Sequence, residues 1–320
     1  CKTAICPTGG CAANTGPTGP VTLAEFTLQN NAQDYYDVSV INGINVPMSM
    51  APTAVTGVSS VYAPSGNEGD YWCGAPGSTS AANTLLASSW NVGANASSSQ
   101  LPFYRYVDTT GFGQACNGNG DPACPTDSVC GLSYDPTGTQ GEITQNQCGK
   151  LIGWWTADEI CGVNPDGFSF DGIDCTSTLS VPSSYPAGSY PDAPRQVDVL
   201  LCQRNPNAAK GVLGTFNNSC YTAGATGNNC CGCQNWSGIT NTGSCVASNK
   251  SWQKYSEPWL KPLKTAVPTA YSYPYDDKSS TFTCYQEATA NITVPTPQQA
   301  NETDYTITFC PGGTDISSFQ

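Results

Sequence analysis

Histidine is absent from this chain of 320 residues, and charged residues make up only 11% of it. Without histidine, a Ser-His-Asp or Cys-His catalytic site is excluded. The formal net charge of -13 argues against binding nucleic acid or anionic membranes through a basic patch, because few lysine or arginine side chains can neutralise phosphates. Neutral polymers such as polysaccharides are compatible with this charge, and so are cationic partners.

Three further absences narrow the functional class. No apolar stretch approaches the roughly 18 residues that a membrane-spanning helix needs. Because the first residue is Cys1, we expect neither an anchor nor a signal peptide in this chain. No phosphate-binding loop or dinucleotide fingerprint occurs, so we predict no cofactor. The group Cys230, Cys231 and Cys233 is spaced too closely for a zinc ribbon, so we predict no metal.

Cysteine, by contrast, is abundant. The 18 cysteines predict an oxidising compartment and several disulfides. Asn-x-Ser/Thr sequons agree with passage through a secretory pathway. These sequons are Asn95, Asn217, Asn235, Asn249, Asn291 and Asn301. We therefore predict a soluble, secreted glycoprotein that acts outside the cell or in a cell wall.

Turn-forming residues dominate the rest of the composition. The 33 glycines and 24 prolines favour many short strands joined by turns, so the predicted fold class is all-β. The segment 21–52 predicts two strands and a turn at Asn42-Gly43. Alternation in "STFTC" (280–284) and "DYTITFC" (304–310) predicts two closing strands. The segment "GKLIGWWTADEICG" (149–162) predicts a short helix with one buried face, and the cysteine-dense segment 202–245 predicts a disulfide-stapled excursion.

The hairpin "TLAEFTLQNNAQDYYDVSV" (22–40) carries two acidic residues that can meet. Side chains alternate between the two faces of a strand. If the hairpin is centred on Asn31, Phe26 lies across from Tyr36 and Glu25 lies across from Asp37. This register puts the apolar residues in the core and both acids outside it, and a slip by one residue would exchange the faces.

Opposed carboxyl groups have a specific chemistry. Directly paired residues have Cβ atoms about 4.5 to 5.5 Å apart, so the two groups perturb each other's ionisation and one tends to keep its proton near neutral pH. Glycoside hydrolysis uses such a pair. The alternative is that Glu25 and Asp37 are solvated strand charges with no catalytic role, although like charges directly opposed destabilise a sheet.

Four stretches together resemble the thaumatin-like family, also called pathogenesis-related group 5. They are "CKTAIC" with "LAEFTL" (1–28), "DYYDVSVINGINVPMSMAPT" (34–53), "YSEPWLKPLKTAVPTAYSYPYDDKSSTFTC" (255–284) and "DYTITFCPGG" (304–313). The resemblance implies a flattened antiparallel β-sandwich with a disulfide-rich second domain, and an acidic cleft between them that binds or slowly cleaves β-1,3-glucan. It divides the chain into a first part of the sandwich (1–72), an enlarged disulfide-rich domain (73–254) and the closing loop domain and strands (255–320). The large insertion suits a fungal-type member.

The chain departs from the family pattern at the cleft. The family combines one arginine, one glutamate and three aspartates, of which Glu25 and Asp37 match the glutamate and the first aspartate. The next aspartate position is Asn42, and the aspartate usually found before "AYSY" is Thr269. The arginine falls in an amino-terminal segment that precedes the first residue of this chain in other members. Tyr35, Tyr271 and Tyr273 are the predicted sugar-stacking residues, with a place in the core as the alternative.

The resemblance also implies disulfides. The implied pairs are Cys6 with Cys11, Cys73 with Cys284, and Cys220 with Cys230. Cys1 and Cys310 match positions whose usual partners lie in the missing segment, so they pair either with a separate amino-terminal fragment or with new partners, including each other. An even number of cysteines permits full internal pairing.

Two functions follow as hypotheses. The first is a β-glucan-binding protein with weak endo-β-1,3-glucanase activity, in which Glu25 is the acid, Asp37 is its partner, and Tyr35, Asn42, Tyr271 and Tyr273 contact the substrate. The second is a non-enzymatic interaction or matrix protein, such as a hydrolase inhibitor. Asp276 and Asp277 are predicted to be turn residues.

Overall fold

The computed structural model describes residues 19–29, 34–53, 74–77, 103–117, 124–135, 142–156, 160, 169–170, 173–174, 260–261, 263–264, 267–273, 276–284 and 304–311. Over these residues the protein is strand-rich, which confirms the predicted all-β class. The strands are β1 (Leu23–Thr27), β2 (Asp34–Ser39), β3 (Met48–Thr53), β4 (Phe103–Asp108), β5 (Val129–Asp135), β6 (Glu142–Thr156), β7 (Ser169–Phe170), β8 (Ile173–Asp174), β9 (Phe282–Cys284) and β10 (Asp304–Phe309), and one short helix, α1 (Asp277–Ser280), precedes β9. Among the described helical residues, no run is long and apolar enough to span a bilayer.

Two small antiparallel sheets form the sandwich. One has the strand order β1-β2-β9, and the other pairs β10 with β3. Ala24 and Phe26 of β1 lie opposite the buried residues Val38 and Tyr36 of β2, so these side chains mark the inner face. On the second sheet the inner face carries Met48 and Met50, which belong to the same hydrophobic core. The predicted hairpin and both predicted closing strands are confirmed.

A cluster of aromatic rings joins the sheets. The ring of Tyr305 on β10 lies 5.2 Å from that of Phe26 and 4.9 Å from that of Tyr36, measured between centroids. The Tyr305 hydroxyl also donates a hydrogen bond to Oδ2 of Asp34, at 2.9 Å. Oδ1 of Asp34 accepts a bond from the backbone N–H of Gln29 at 2.8 Å, which ties down the β1–β2 loop. Asp34 therefore fixes the hairpin and the second sheet together.

The strands β4, β5 and β6 pair with one another and form a second small sheet system. Two disulfides staple it, Cys116–Cys130 and Cys124–Cys148. Their sulfur atoms lie close together, since those of Cys116, Cys124 and Cys130 are within 4.8 Å of one another. Sequence alone left the pairing of these four cysteines open, because spacing does not determine connectivity.

The β4–β6 sheet joins the sandwich through main-chain atoms. Ile44 and Trp154 exchange two backbone hydrogen bonds, N–H to O at 2.8 Å and 2.7 Å. Two glycines allow this approach: a Cβ on Gly43 would lie 2.5 Å from Cβ of Pro20, and a Cβ on Gly153 would lie 2.8 Å from the carbonyl oxygen of Ile44. Gly43 also has a φ of +91°, which confirms the predicted turn at Asn42-Gly43.

The predicted helix over 149–162 is wrong for most of its length. Residues through Thr156 continue strand β6, and within the described part of that segment only Ile160 is helical. Trp154 and Trp155 are both almost completely buried although they point to opposite faces of the strand. A strand covered on both sides has a continuous apolar run, which periodicity does not distinguish from a buried helix.

Cys310 is unpaired, although an even number of cysteines permits full internal pairing. Its thiol is free and partly buried, so the predicted alternative of a Cys1–Cys310 disulfide is wrong. The residue lies just beyond the end of β10, with its N–H bonded to the carbonyl oxygen of Pro47 at 2.9 Å. An even number of cysteines indicates that pairing is possible but carries no information on which residues come close. Cys284 is disulfide-bonded, and the predicted partner Cys73 lies outside the described residues.

Removal of the Tyr305 hydroxyl tests the link between the sheets. We expect Tyr305→Phe to lower the free energy of unfolding by about 1 kcal/mol, because one hydrogen bond to Asp34 is lost while the ring contacts remain. Tyr305→Ala, which also loses the contacts with Phe26 and Tyr36, should cost more. Chemical denaturation of both variants measures the difference. Unchanged stability of Tyr305→Phe would contradict the role given to the hydroxyl, and equal losses in the two variants would contradict the role of the ring.

Candidate functional site

The two acidic residues of the hairpin are paired as the sequence predicts. Glu25 on β1 lies directly across from Asp37 on β2, one position along from the Phe26–Tyr36 pair. Both acids therefore share the outer face of the sheet. Their exposures differ, since Glu25 is exposed whereas Asp37 is partly buried, with its Oδ1 atom inaccessible and without a hydrogen-bond partner.

The environment of Asp37 favours its protonated form. Burial raises the pKa of the Asp37 carboxyl to about 8, with further contributions from the negative charge of Glu25 and from a hydrogen bond with it. The charges of Asp277 and Asp276 act in the same direction. The raised pKa favours the neutral form of the Asp37 carboxyl near neutral pH. The sequence hypothesis had made Glu25 the acid.

The position of Asp37 on β2 accounts for its burial. β9 pairs with β2 only as far as Tyr36, and the next backbone partner along the same edge is Tyr271, which bridges to Ser39. Asp37 lies between these two contacts. The residues that connect Tyr271 to β9 include Asp276 and Asp277, so their charges come close enough to act on Asp37. The sequence analysis predicted Asp37 outside the core, because the pattern of the hairpin does not show that the segment between Tyr271 and β9 packs beside it.

A buried lysine organises that connection. Lys264 is completely buried, and its Nζ lies 2.7 Å from Oδ2 of Asp276, which is also completely buried. Burial lowers the pKa of Lys264, while the charges of Asp276 and Asp37 act to raise it. The ammonium also donates to the carbonyl oxygens of Ala270, at 2.8 Å, and Pro268, at 3.2 Å.

Asp276 accepts several hydrogen bonds besides its ion pair. Its Oδ2 receives the backbone N–H of Ser272 at 3.0 Å and the Ser272 hydroxyl at 2.8 Å. The Ser280 hydroxyl donates to the same oxygen at 2.9 Å. Asp276 does lie at a turn, as predicted, immediately before α1, but it is also a buried structural acid. Asp277 begins α1 and is exposed.

The predicted sugar-binding aromatic residues have different surroundings. Tyr35 shares the outer face with Asp37, pairs with Thr27 and Thr283, and is partly exposed. Tyr271 is also partly exposed. It lies beside β2, where its N–H donates to the carbonyl oxygen of Val38 and its carbonyl oxygen accepts the N–H of Val40, both at 2.8 Å. Tyr273, in contrast, is completely buried, which favours the alternative of a place in the core.

The remaining predicted positions contribute less to the acid pair. Asn42 lies in the turn after β2, where its carbonyl oxygen accepts the N–H of Val21 at 2.8 Å. Thr269 is buried. The predicted disulfide residues Cys6, Cys11, Cys220 and Cys230 and the six sequons lie outside the described residues.

Sequence reasoning missed the buried ion pair. The available signal was Lys264 itself, one of only 11 basic residues, set between Leu263 and Val267, which are both buried. A lysine within an apolar segment needs a carboxylate partner if it is buried. The partner, Asp276, follows twelve positions after Lys264. Sequence spacing does not predict an ion pair of this kind outside a regular helix.

The raised pKa of Asp37 predicts a pH-dependent stability. Between the ordinary pKa of 3.8 and about 8, the unfolded chain releases the Asp37 proton while the folded protein keeps it. The contribution of this group to stability is therefore present below pH 4 and is lost as pH rises to about 8. We expect Asp37→Asn to raise the free energy of unfolding relative to wild type by about 2 kcal/mol or more at pH 9, and little at pH 4.

Urea denaturation at several pH values measures this difference. The matched control is Asp127→Asn, because Asp127 is exposed and has a φ of +65° that asparagine also tolerates. The prediction fails if the Asp37→Asn variant and the control show the same pH dependence.

Removing one partner of the buried ion pair should be costly. We expect Lys264→Met to lower the free energy of unfolding by about 3–5 kcal/mol, because it leaves the Asp276 carboxylate buried without its cation. The double variant Lys264→Met with Asp276→Asn should recover part of that loss, since no buried charge remains. A double variant less stable than the single one, measured by denaturation, would contradict this account.

Comparison with known proteins finds similarity to one family. The model of the thaumatin family matches residues 1–135. This range includes β1 to β5 and the Glu25–Asp37 pair, and it continues past residue 73, where the second predicted domain begins.

Curated relatives carry related names. Thaumatin-like protein 1b of Malus domestica is 51% identical over 59 residues, which are 18% of this chain and 28% of that protein. Thaumatin-like protein 2 of Prunus persica is 50% identical over 60 residues, or 18% and 24%. The glucan endo-1,3-beta-glucosidase of Prunus avium is 46% identical over 59 residues, again 18% and 24%. The chain thus spans about a quarter of the length of these relatives.

Proposed function

Because this chain is a member of the thaumatin-like family, we propose that it is a secreted protein that binds β-1,3-glucan at the outer face of the β1–β2 hairpin. Its relative from Prunus avium is named a glucan endo-1,3-beta-glucosidase, which favours this polysaccharide as the ligand class. A neutral polymer also suits a protein with a net charge of -13.

The observation that carries the proposal is the unequal carboxyl pair. Glu25 is exposed and can accept hydrogen bonds from sugar hydroxyl groups, while Asp37 lies directly across from it on β2 and has a raised pKa of about 8. Two partly exposed tyrosines lie near this pair: Tyr35 is on the same face of β2 as Asp37, and Tyr271 bridges to Ser39 beside β2. Aromatic rings next to a hydrogen-bonding carboxylate are a suitable surface for a sugar ring.

Burial of Asp37 favours binding over hydrolysis. Glycosidases place two carboxyl groups on either side of the scissile bond, about 5 to 9.5 Å apart, and both reach the substrate. Here Oδ1 of Asp37 is inaccessible, so Glu25 is the more exposed carboxyl of the pair and offers the larger contact to a polymer. Any endo-β-1,3-glucanase activity should therefore be slow. The same observation supports the second candidate, a non-enzymatic interaction or matrix protein such as a hydrolase inhibitor.

Glucan binding and release of reducing sugar distinguish these functions. We expect the wild-type protein to bind insoluble β-1,3-glucan, and Glu25→Gln to weaken binding by about 5- to 10-fold through loss of charge-assisted hydrogen bonds. Asp127→Asn, which removes an exposed carboxylate in the turn before β5, should bind like wild type. Release of reducing sugar should be close to background for all three proteins.

Other outcomes would redirect the proposal. If the wild type binds β-1,3-glucan no better than an α-glucan of similar particle size, the glucan proposal fails and the non-enzymatic partner becomes the leading candidate. Rapid sugar release that Glu25→Gln abolishes would instead make the protein an efficient glucanase.

A further inference from the structure

The two carboxyl groups of the β1–β2 hairpin are joined by a hydrogen bond. Glu25 and Asp37 are directly opposed in the register, and their side chains bond to each other. Two ionised carboxylates have only acceptors to offer, so such a bond exists only while one of the two groups carries a proton. The pair is therefore a unit that holds one proton, whichever of the two groups carries it.

Further acids act on this unit from the segment that follows Tyr271. Asp276 is buried and Asp277 begins α1, and the negative charges of both favour retention of the proton on Asp37. Lys264 is a cation in the same segment, but its Nζ lies 2.7 Å from Oδ2 of Asp276, so that carboxylate offsets most of its charge. The neighbours Tyr35 and Tyr271 supply no positive charge. A second negative charge on the pair would thus be added to surroundings that are already acidic.

Loss of the shared proton changes the surface that a sugar would contact. Without the proton, the hydrogen bond between the carboxyl groups disappears and the two groups repel each other. Oδ1 of Asp37 is inaccessible and has no hydrogen-bond partner in the described structure, so a full charge there must be hydrated or moved towards solvent. Glu25, the exposed member, then loses the contact that holds its carboxyl group in place.

We infer that glucan binding at the β1–β2 hairpin is proton-linked: the polymer binds the form of the site in which Glu25 and Asp37 share one proton, and is released when that proton is lost. This inference rests on the proposed function and adds the condition under which the site works. The protein binds β-1,3-glucan in acidic and neutral surroundings and releases it in alkaline ones.

The ionisation of Asp37 sets the pH range of the effect. Burial and the neighbouring Glu25 raise the pKa of Asp37 to about 8. If only the protonated form binds, the apparent Kd rises in inverse proportion to the fraction of the protein in that form. Nearly all of the protein is competent at pH 6, and about one tenth of it at pH 9. We therefore expect the affinity at pH 9 to be about 10-fold lower than at pH 6.

Binding to insoluble β-1,3-glucan at pH 6 and pH 9 tests the inference. We expect the wild type to lose affinity at pH 9, to keep its tryptophan fluorescence there, and to recover binding on return to pH 6. Asp37→Asn has no proton to lose at this position, and its amide can still donate to Glu25. Its affinity at pH 9 should therefore lie within about 2-fold of its own affinity at pH 6. The matched control Asp127→Asn, in the turn before β5, should follow the wild type.

Calorimetry with a soluble β-1,3-glucan oligosaccharide is a second, independent measurement. Because linkage is reciprocal, a ligand that binds the protonated form must also cause proton uptake. At pH 8 we expect uptake of about half a proton per molecule bound, measured as a difference in binding heat between two buffers of unlike ionisation enthalpy. Uptake should be close to zero at pH 6, and close to zero at both pH values for Asp37→Asn.

The possible failures point to different conclusions. Equal wild-type affinity at pH 6 and pH 9 would leave the glucan function intact and overturn the linkage. The same loss of affinity in wild type and Asp37→Asn would assign the proton to another group, such as Lys264, whose pKa is lowered by burial. Absence of proton uptake at pH 8 would also overturn the inference. No binding of β-1,3-glucan at either pH would refute the proposed function and the inference together.

Discussion

The pairing register of the β1–β2 hairpin is the constraint on which the proposed binding site and its proton linkage both depend. With Glu25 across from Asp37, the outer face presents a carboxyl pair and the inner face presents Phe26 and Tyr36 to the second sheet. A slip by one residue would bury the acids and expose the rings, because successive side chains alternate in direction. Asp34 helps to fix this register, since its two carboxylate oxygens bind the loop and the opposite sheet at the same time.

The second determinant is the ammonium of Lys264. It holds a segment without regular structure by binding Asp276, Ala270 and Pro268, and this segment carries Tyr271 to the edge of β2. A fully buried charge is retained only where its partner and further hydrogen bonds compensate for lost hydration. The ion pair and the pKa of Asp37 therefore share one residue. Asp276 is the partner of Lys264, and its charge is also one of those that raise the pKa of Asp37.

The sequence predicted those features that depend on local alternation and failed where distant segments meet. The hairpin, its register and the closing strands follow from a two-residue period and from Asn42-Gly43. The burial of Asp37 does not follow, because it depends on residues some 240 positions later in the chain. The segment around Trp154 looked helical since both of its faces are apolar, and only its neighbours β4 and Ile44 show that it is a strand. The ion pair of Lys264 lacks a spacing rule altogether, and cysteine number alone did not show that Cys310 is free.

The junction at Gly43 and Gly153 has a consequence for how this protein can vary. The two sheet systems meet there through peptide groups and the ring of Pro20, with no room for a Cβ atom. Interfaces made of side chains can change gradually, as one residue compensates for another. An interface made by the absence of side chains cannot, because the smallest addition, a methyl group, already collides with backbone. The stapled sheet can therefore diverge widely in sequence while its attachment to the sandwich stays confined to a few atoms of invariant shape.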